Sequence, residues 1–156
     1  MLHTFLKTIP LSSRYIAMSR ILAIDYGLKR TGIAVTDPLQ IIVSPLTTIP
    51  TKELFDYLKE YFSSEEVELV VFGDPKHADG NPTHVSEKVH KFAQFLNKEL
   101  PQIPIEFEDE SFSSVEAMRT LLMSGAKKKK RREKGILDKV SAAIILERYL
   151  HRIGKY

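Results

Sequence analysis

An α/β fold built on one mixed five-stranded sheet follows from two features of the chain. Three apolar, β-branched runs come in quick succession near its start, and helical and strand periods alternate after them, with no repeat at any fixed period. With 156 residues, 43% hydrophobic and 28% charged, the chain has the size and composition of one globular domain, which excludes a wholly disordered or fibrous protein. Zero cysteines exclude a disulfide scaffold, a thiolate metal site and a cysteine nucleophile, and make an intracellular setting the expectation. No apolar run approaches the roughly 20 residues that span a bilayer, so no membrane partner is expected.

The first strand is RILAIDY, Arg20 to Tyr26, an apolar run that ends on an acid. Thr31 to Thr36 (TGIAVT) and Ile41 to Thr48 supply the second and third. The short connections, with Gly27, Gly32 and Pro38 among them, favour an antiparallel meander, because a parallel crossover needs a dozen or more residues. Leu54, Phe55, Leu58, Tyr61 and Phe62 then repeat at helical spacing, which predicts a helix over 52–63 with Thr51 as its N-cap. Val67 to Phe72 (VELVVF) is β-branched and predicts the fourth strand. Val85, Val89, Phe92, Phe95, Leu96 and Leu100 make one stripe of a helix over 84–100. A fifth strand over 103–108, a helix over 113–124 closed by Gly125, and a last helix over 137–152 complete the order. A three-strand meander followed by αβ units places helices on both faces of the sheet.

Charge is distributed unevenly. The stretch KKKKRREK, residues 127–134, holds seven basic residues against one acid, so a chain of net charge +3 is −3 outside it. Clustered cations on a mildly acidic body suit a polyanionic partner, because phosphates attract them and shed counterions on contact. Residues 1–17 carry Lys7 and Arg14, hydroxyl-rich patches and no acid, the composition of an organellar transit peptide, and lack a secretory apolar core. The preferred reading is an upstream start preceding Met18, which leaves residues 18–156 as the working domain.

Acids stand at three comparable places: Asp25 ending the first strand, Asp109 and Glu110 ending the fifth, and Asp138 in the first turn of the last helix. A carboxylate at the end of an apolar strand costs desolvation energy unless it is paired or binds a cation. Asp25 before Gly27 also fits a turn former, and Asp138 also fits the helix dipole. Should these places converge, three or more carboxylates crowd one point with no obvious buried arginine, an oxygen-rich set suited to Mg²⁺ or Mn²⁺. Two such ions support phosphodiester cleavage, and a basic arm for phosphates beside them describes a nuclease.

The blocks ILAIDYGLKRTGIAVTD, VVFGDPKHADG, EDESFSSVEAMRTLLMSG and KGILDKVSAAIILERYL also resemble the four ordered motifs of the YqgF family of ribonuclease H-like proteins, called RuvX-like or Holliday-junction-resolvase-like. The resemblance spans about residues 19–152. It implies a ribonuclease H-like fold and a cytoplasmic nuclease that matures the 5′ end of pre-16S ribosomal RNA, with resolvase activity on branched DNA as an alternative. By motif, the family's acids fall on Asp25, on the pair Asp109 and Glu110, and on Asp138. Two departures stand out. Ser111 occupies the place where the third motif continues with arginine, and Asp74 lies between a glycine and a proline where the family is usually apolar. Asp74 is either a fourth metal carboxylate or the shaper of the Asp74-Pro75 turn.

Phosphate contacts are expected from Lys29, Arg30 and Lys76 in turns near the acids, and from Lys127, Lys128, Lys129, Lys130, Arg131 and Arg132 in a loop tethered close to Asp138. Gly27 and Gly32 have phosphate-loop spacing, yet Ile33 and Ala34 follow where Lys and Ser or Thr are required. His77, His84 and His90 form no zinc pattern and are read as polar surface groups. The resulting expectation is a metal-dependent phosphodiesterase with Asp25, Glu110 and Asp138 as principal Mg²⁺ or Mn²⁺ ligands and Asp109 as the alternative to Glu110. Its partners are structured RNA or branched DNA, with ribosomal precursor particles besides, and its state a monomer or weak homodimer. Two alternatives stand beside it: a junction-cleaving DNA endonuclease, which needs two opposed sites and hence a dimer, and a non-catalytic RNA-binding assembly factor.

Overall fold

A computed structural model describes residues 18–111, 113–133 and 135–156, so the reading of residues 1–17 lies outside the described residues. Strands β1 (Arg20–Tyr26), β2 (Arg30–Thr36) and β3 (Val43–Pro50) come first. They are followed by one 3₁₀ turn (Thr51–Glu53), α1 (Leu54–Ser64), β4 (Val67–Asp74), α2 (His84–Glu99) and β5 (Ile105–Asp109). Helices α3 (Ser113–Met123), α4 (Lys128–Arg131) and α5 (Ile136–Arg152) close the chain. The strands form one sheet in the order β3-β2-β1-β4-β5. β1 pairs antiparallel with β2, and β2 with β3, while β1 with β4 and β4 with β5 are parallel. The mixed α/β sheet expected of a ribonuclease H-like chain is the one that forms.

Period-two alternation in the central strands divides the core into two layers. Leu22, Ile24, Val70 and Phe72 face Leu54 and Leu58 of α1 and Val89, Ala93 and Leu96 of α2. Ile21, Ala23 and Val71 face Ala142, Ile145, Leu146 and Leu150 of α5 on the other side. β1 and β4 are therefore apolar on both faces, as parallel pairing requires, and small residues at 142 and 143 let α5 lie close to the sheet. Among the described residues no helix is long and apolar enough to cross a membrane.

Local chemistry moves several expected boundaries. β3 begins at Val43 rather than Ile41 because Gln40 is left-handed (φ 57°) and the Asp37 carboxylate accepts from both Ile41 and Ile42 N–H at 2.7 Å, which makes residues 37–42 a turn. Pro45 and Pro50 fit β3 because it is an edge strand. Thr51 does not cap α1: its hydroxyl donates to the Gly27 carbonyl at 2.6 Å, tying the β1–β2 turn to the end of β3. Thr83, unforeseen, caps α2 by accepting from Ser86 N–H at 3.1 Å. β5 starts at Ile105, since Pro104 has no N–H and Ile103 N–H turns back to Leu100. The basic stretch expected as a loop contains the single helical turn α4.

Candidate active site

Two glycines inside strands make room for the acids. Asp25 pairs across the ladder with Gly32 of β2. A methyl group on Gly32 would stand 2.1 Å from the Asp138 carbonyl oxygen, so only glycine lets the first turn of α5 lie against β2. Thr48 of β3 donates its hydroxyl to the Gly135 carbonyl, fixing the start of that helix. Gly73 of β4 does the same for the other acid: a methyl there would meet Glu110 Oε2 at 2.5 Å and Ile145 Cδ1 at 2.6 Å. Glu110, just past β5, reaches back over Gly73 into this slot. Neither glycine was singled out from the sequence for this purpose, although glycine inside a strand signals close approach of another group.

The Asp25 and Glu110 carboxyls are thereby pressed together. Burial, then repulsion from Asp25, pushes Glu110 up to about 9. Burial also raises Asp25 to about 6; contact with Glu110 works against that rise and the charge of Asp138 adds to it. Glu110 Oε2 is buried without a hydrogen-bond partner among the described residues. With Pro75, Lys76, Ser111, Ser113 and Ser114, the two acids line a cleft of about 220 Å³.

Asp138 is placed beside this pair but is engaged elsewhere. Arg30 Nε donates to Asp138 Oδ2 at 2.9 Å, a neutralising partner not anticipated from the sequence. Asp74 is bonded to α2 through both oxygens: Oδ1 accepts from the Ser86 hydroxyl at 2.5 Å and Oδ2 lies 3.2 Å from His90 Nε2, while its charge adds to the repulsion on Glu110. His90 is in turn no plain surface group, since its ring stacks on Phe107 at 4.2 Å. Asp109 is exposed and does not line the cleft. Ser111 donates to Asp109 Oδ1 from its N–H at 2.8 Å and its hydroxyl at 2.6 Å, and these bonds hold the Asp109 carboxyl below the usual carboxylate range.

Arg148 of α5, also unforeseen, donates to the Asp109 and Ser111 carbonyls at 3.1 and 2.8 Å and to the Glu116 carboxylate at 2.6 Å. One guanidinium thus clamps the turn that carries Glu110, and a cation stands there although position 111 is serine. Lys76 reaches the cleft, and Lys29 is exposed on the β1–β2 turn. Lys127 to Lys130 and Arg132 are exposed, whereas Arg131 Nε donates to the Ala126 carbonyl at 3.0 Å.

The donor set tests whether a divalent cation fits. Two carboxyls in contact, one with a buried oxygen that lacks a donor, are short of positive charge, and hard oxygen ligands suit Mg²⁺ or Mn²⁺. Among the described residues no three acids or histidines surround one point, and the Asp138 carboxylate is paired with Arg30. That ion pair is half exposed on the arginine side, and such pairs contribute only about 0–1 kcal/mol, so it is readily exchanged. The chemistry of the Asp25–Glu110 donor set fits such a cation, and Asp138 lies near enough for its charge to act on Asp25.

Comparison with known proteins gives a concordant result. A family model described as RuvX, Holliday junction resolvase, matches residues 19–152. A protein of Bacteroides fragilis named "Putative pre-16S rRNA nuclease" is 49% identical over 133 residues, 85% of this chain and 96% of that one. Proteins of the same name from Porphyromonas gingivalis and Christiangramia forsetii are 50% and 46% identical over 85% and 86% of this chain, and 96% and 99% of theirs. Among solved structures, YeaZ from Pseudomonas aeruginosa aligns at a TM-score of 0.42 and 18% identity, covering 70% of this chain and 50% of its own.

Proposed function

The chain belongs to the RuvX (Holliday junction resolvase) family, and on that premise we propose that it is a metal-dependent nuclease that processes the 5′ end of pre-16S ribosomal RNA in the cytoplasm. The observation that carries the hydrolytic reading is the Asp25–Glu110 contact, with its partnerless Glu110 oxygen, at the floor of a cleft that also holds Lys76. A fold keeps so costly an arrangement where a cation relieves it. The name shared by relatives of 46–50% identity supports RNA as substrate.

In this reading Asp25 and Glu110 hold Mg²⁺ or Mn²⁺, and Asp138 joins them when it leaves Arg30. The ion, when bound, supplies neutralisation of phosphate charge and activation of water. Arg30, released from Asp138, is then free to meet a phosphate oxygen next to the acids. Lys76 orients the phosphodiester from the other side of the cleft, while Arg148 keeps the Glu110 turn from yielding. In this reading water is the nucleophile and no covalent enzyme intermediate forms.

The deciding experiment is Mg²⁺- and Mn²⁺-dependent cleavage of a labelled pre-16S 5′-leader RNA, with a four-way DNA junction alongside and Asp25→Asn protein as control. Leader cleavage by the wild type, at least a hundredfold faster than by the variant, is the expected outcome. Preference for the junction, with a dimer in light scattering, selects the resolvase reading that the family description favours. Binding without cleavage, equal in both proteins, selects a non-catalytic assembly factor.

A further inference from the structure

Helix α3 has two apolar faces, and only one is used by the core. Ser113, Ala117 and Leu121 are buried on the inner side. Val115, Met118 and Leu122 recur at helical spacing on the other, with Val115 and Leu122 56% and 51% exposed. Together with Ser114, Arg119 and Leu137 they line a groove of about 450 Å³, within the roughly 300–1,000 Å³ range of small-ligand sites.

Two features say what the groove would hold. Ser114 lines both this groove and the acid cleft, and Leu137 directly precedes Asp138, so the apolar surface begins where the cleft ends. The surroundings are cationic: Arg119 lines the groove, and the Lys127–Arg132 run follows α3 almost directly. An apolar slot with a planar guanidinium, joined to a phosphate-cleaving site and flanked by positive charge, matches an unstacked nucleobase, whose faces are apolar and whose backbone is anionic. We infer that the groove formed by Val115, Met118, Arg119, Leu122 and Leu137 binds the base of an unpaired nucleotide flanking the scissile phosphate. The preferred substrate is then single-stranded or frayed at the cut, and base-paired RNA is disfavoured there. This inference rests on the nuclease reading and specifies its substrate.

The test sets a cleavable RNA against the same RNA lacking the base at each nucleotide flanking the cut, and wild type against Leu122→Ser, a change at an exposed position outside the core. Removing one flanking base should lower wild-type kcat/KM about tenfold. L122S should lose a similar factor on intact RNA and be indifferent to the missing base, because both changes delete one contact. Its melting temperature should match the wild type's. Equal rates on intact and abasic RNA, or losses that simply multiply, overturn the inference and leave the nuclease reading standing. Should the wild type cleave nothing, the nuclease reading fails and binding decides: short single-stranded RNA held more tightly with its bases than without, and no longer so in L122S, supports the groove, while equal affinities overturn it. A dimer that L122S dissolves, without dependence on the base, assigns the face to a second copy and also overturns it.

Discussion

Glu110 shows what one side chain costs the fold. Its carboxyl is buried against Asp25, and both causes favour the protonated form. A group whose folded-state pKa is raised stabilises the fold fully only below its ordinary value, here 4.5, and that contribution is lost as pH climbs towards about 9. Glu110→Gln keeps the volume and removes the charge. In cation-free buffer the variant should therefore melt above wild type at neutral pH, by roughly 2–4 °C for each kcal/mol relieved. The gap should widen between pH 4.5 and about 9. Mg²⁺ or Mn²⁺ should raise the wild-type melting temperature and leave E110Q nearly unmoved. Scanning calorimetry across that window, with and without the cations, checks both; parallel curves would mean that the acids are not held at a cost that a cation relieves.

The elements bring these side chains together through positions with no chemistry of their own. Gly32→Ala would drive a methyl into the backbone of α5, which cannot yield without moving the helix, so it should cost about 3 kcal/mol or more. Gly73→Ala meets side chains rather than backbone, Glu110 at Oε2 and Cβ and Ile145 at Cδ1, and should cost less, about 1–3 kcal/mol, while displacing Glu110 and abolishing cleavage. Denaturant unfolding and the leader-RNA assay separate the two: G32A loses more stability, and G73A loses activity out of proportion to it. What the sequence makes readable follows the same division. Strand and helix periods are local, so the five strands and the acids that end them stand out along the chain. The partners that decide each acid's role do not. Arg30 and Asp138 are 108 residues apart, Asp74 finds Ser86 and His90 only because α2 crosses over the end of β4, and Arg148 reaches the Glu110 turn from the far part of α5. The missed cap at Thr83 and the shifted start of β3 are of the local kind, and Gln40's left-handed turn is a signal that residue type alone does not carry.

Across the whole molecule, charge is separated rather than balanced. The body is mildly acidic and two of its acids, Asp25 and Glu110, share one cleft, while seven of the 23 basic residues stand in the 127–134 stretch between α3 and α5. Repulsion between that cleft and a polyanion is offset if the polyanion is first held by the basic turn, so affinity and cleavage should depend on different residues. Were all six cations of Lys127 to Arg132 to neutralise phosphates, the slope of log K against log salt would be roughly −4 on single strands and −5 on duplex. Arg131 is partly engaged by the Ala126 carbonyl, which lowers its share. Replacing Lys128, Lys129 and Lys130 by Ala should therefore flatten the single-strand slope by about 2 and weaken binding alike for all sequences. The rate at saturating RNA should stay unchanged, since these side chains are exposed and do not line the acid cleft. Fluorescence anisotropy with Asp25→Asn protein at several KCl concentrations, which measures binding without turnover, reads the slope directly. An unchanged slope in the triple variant would route the phosphate backbone over Lys29, Lys76 and Arg119 instead, leaving α4 a solvated turn.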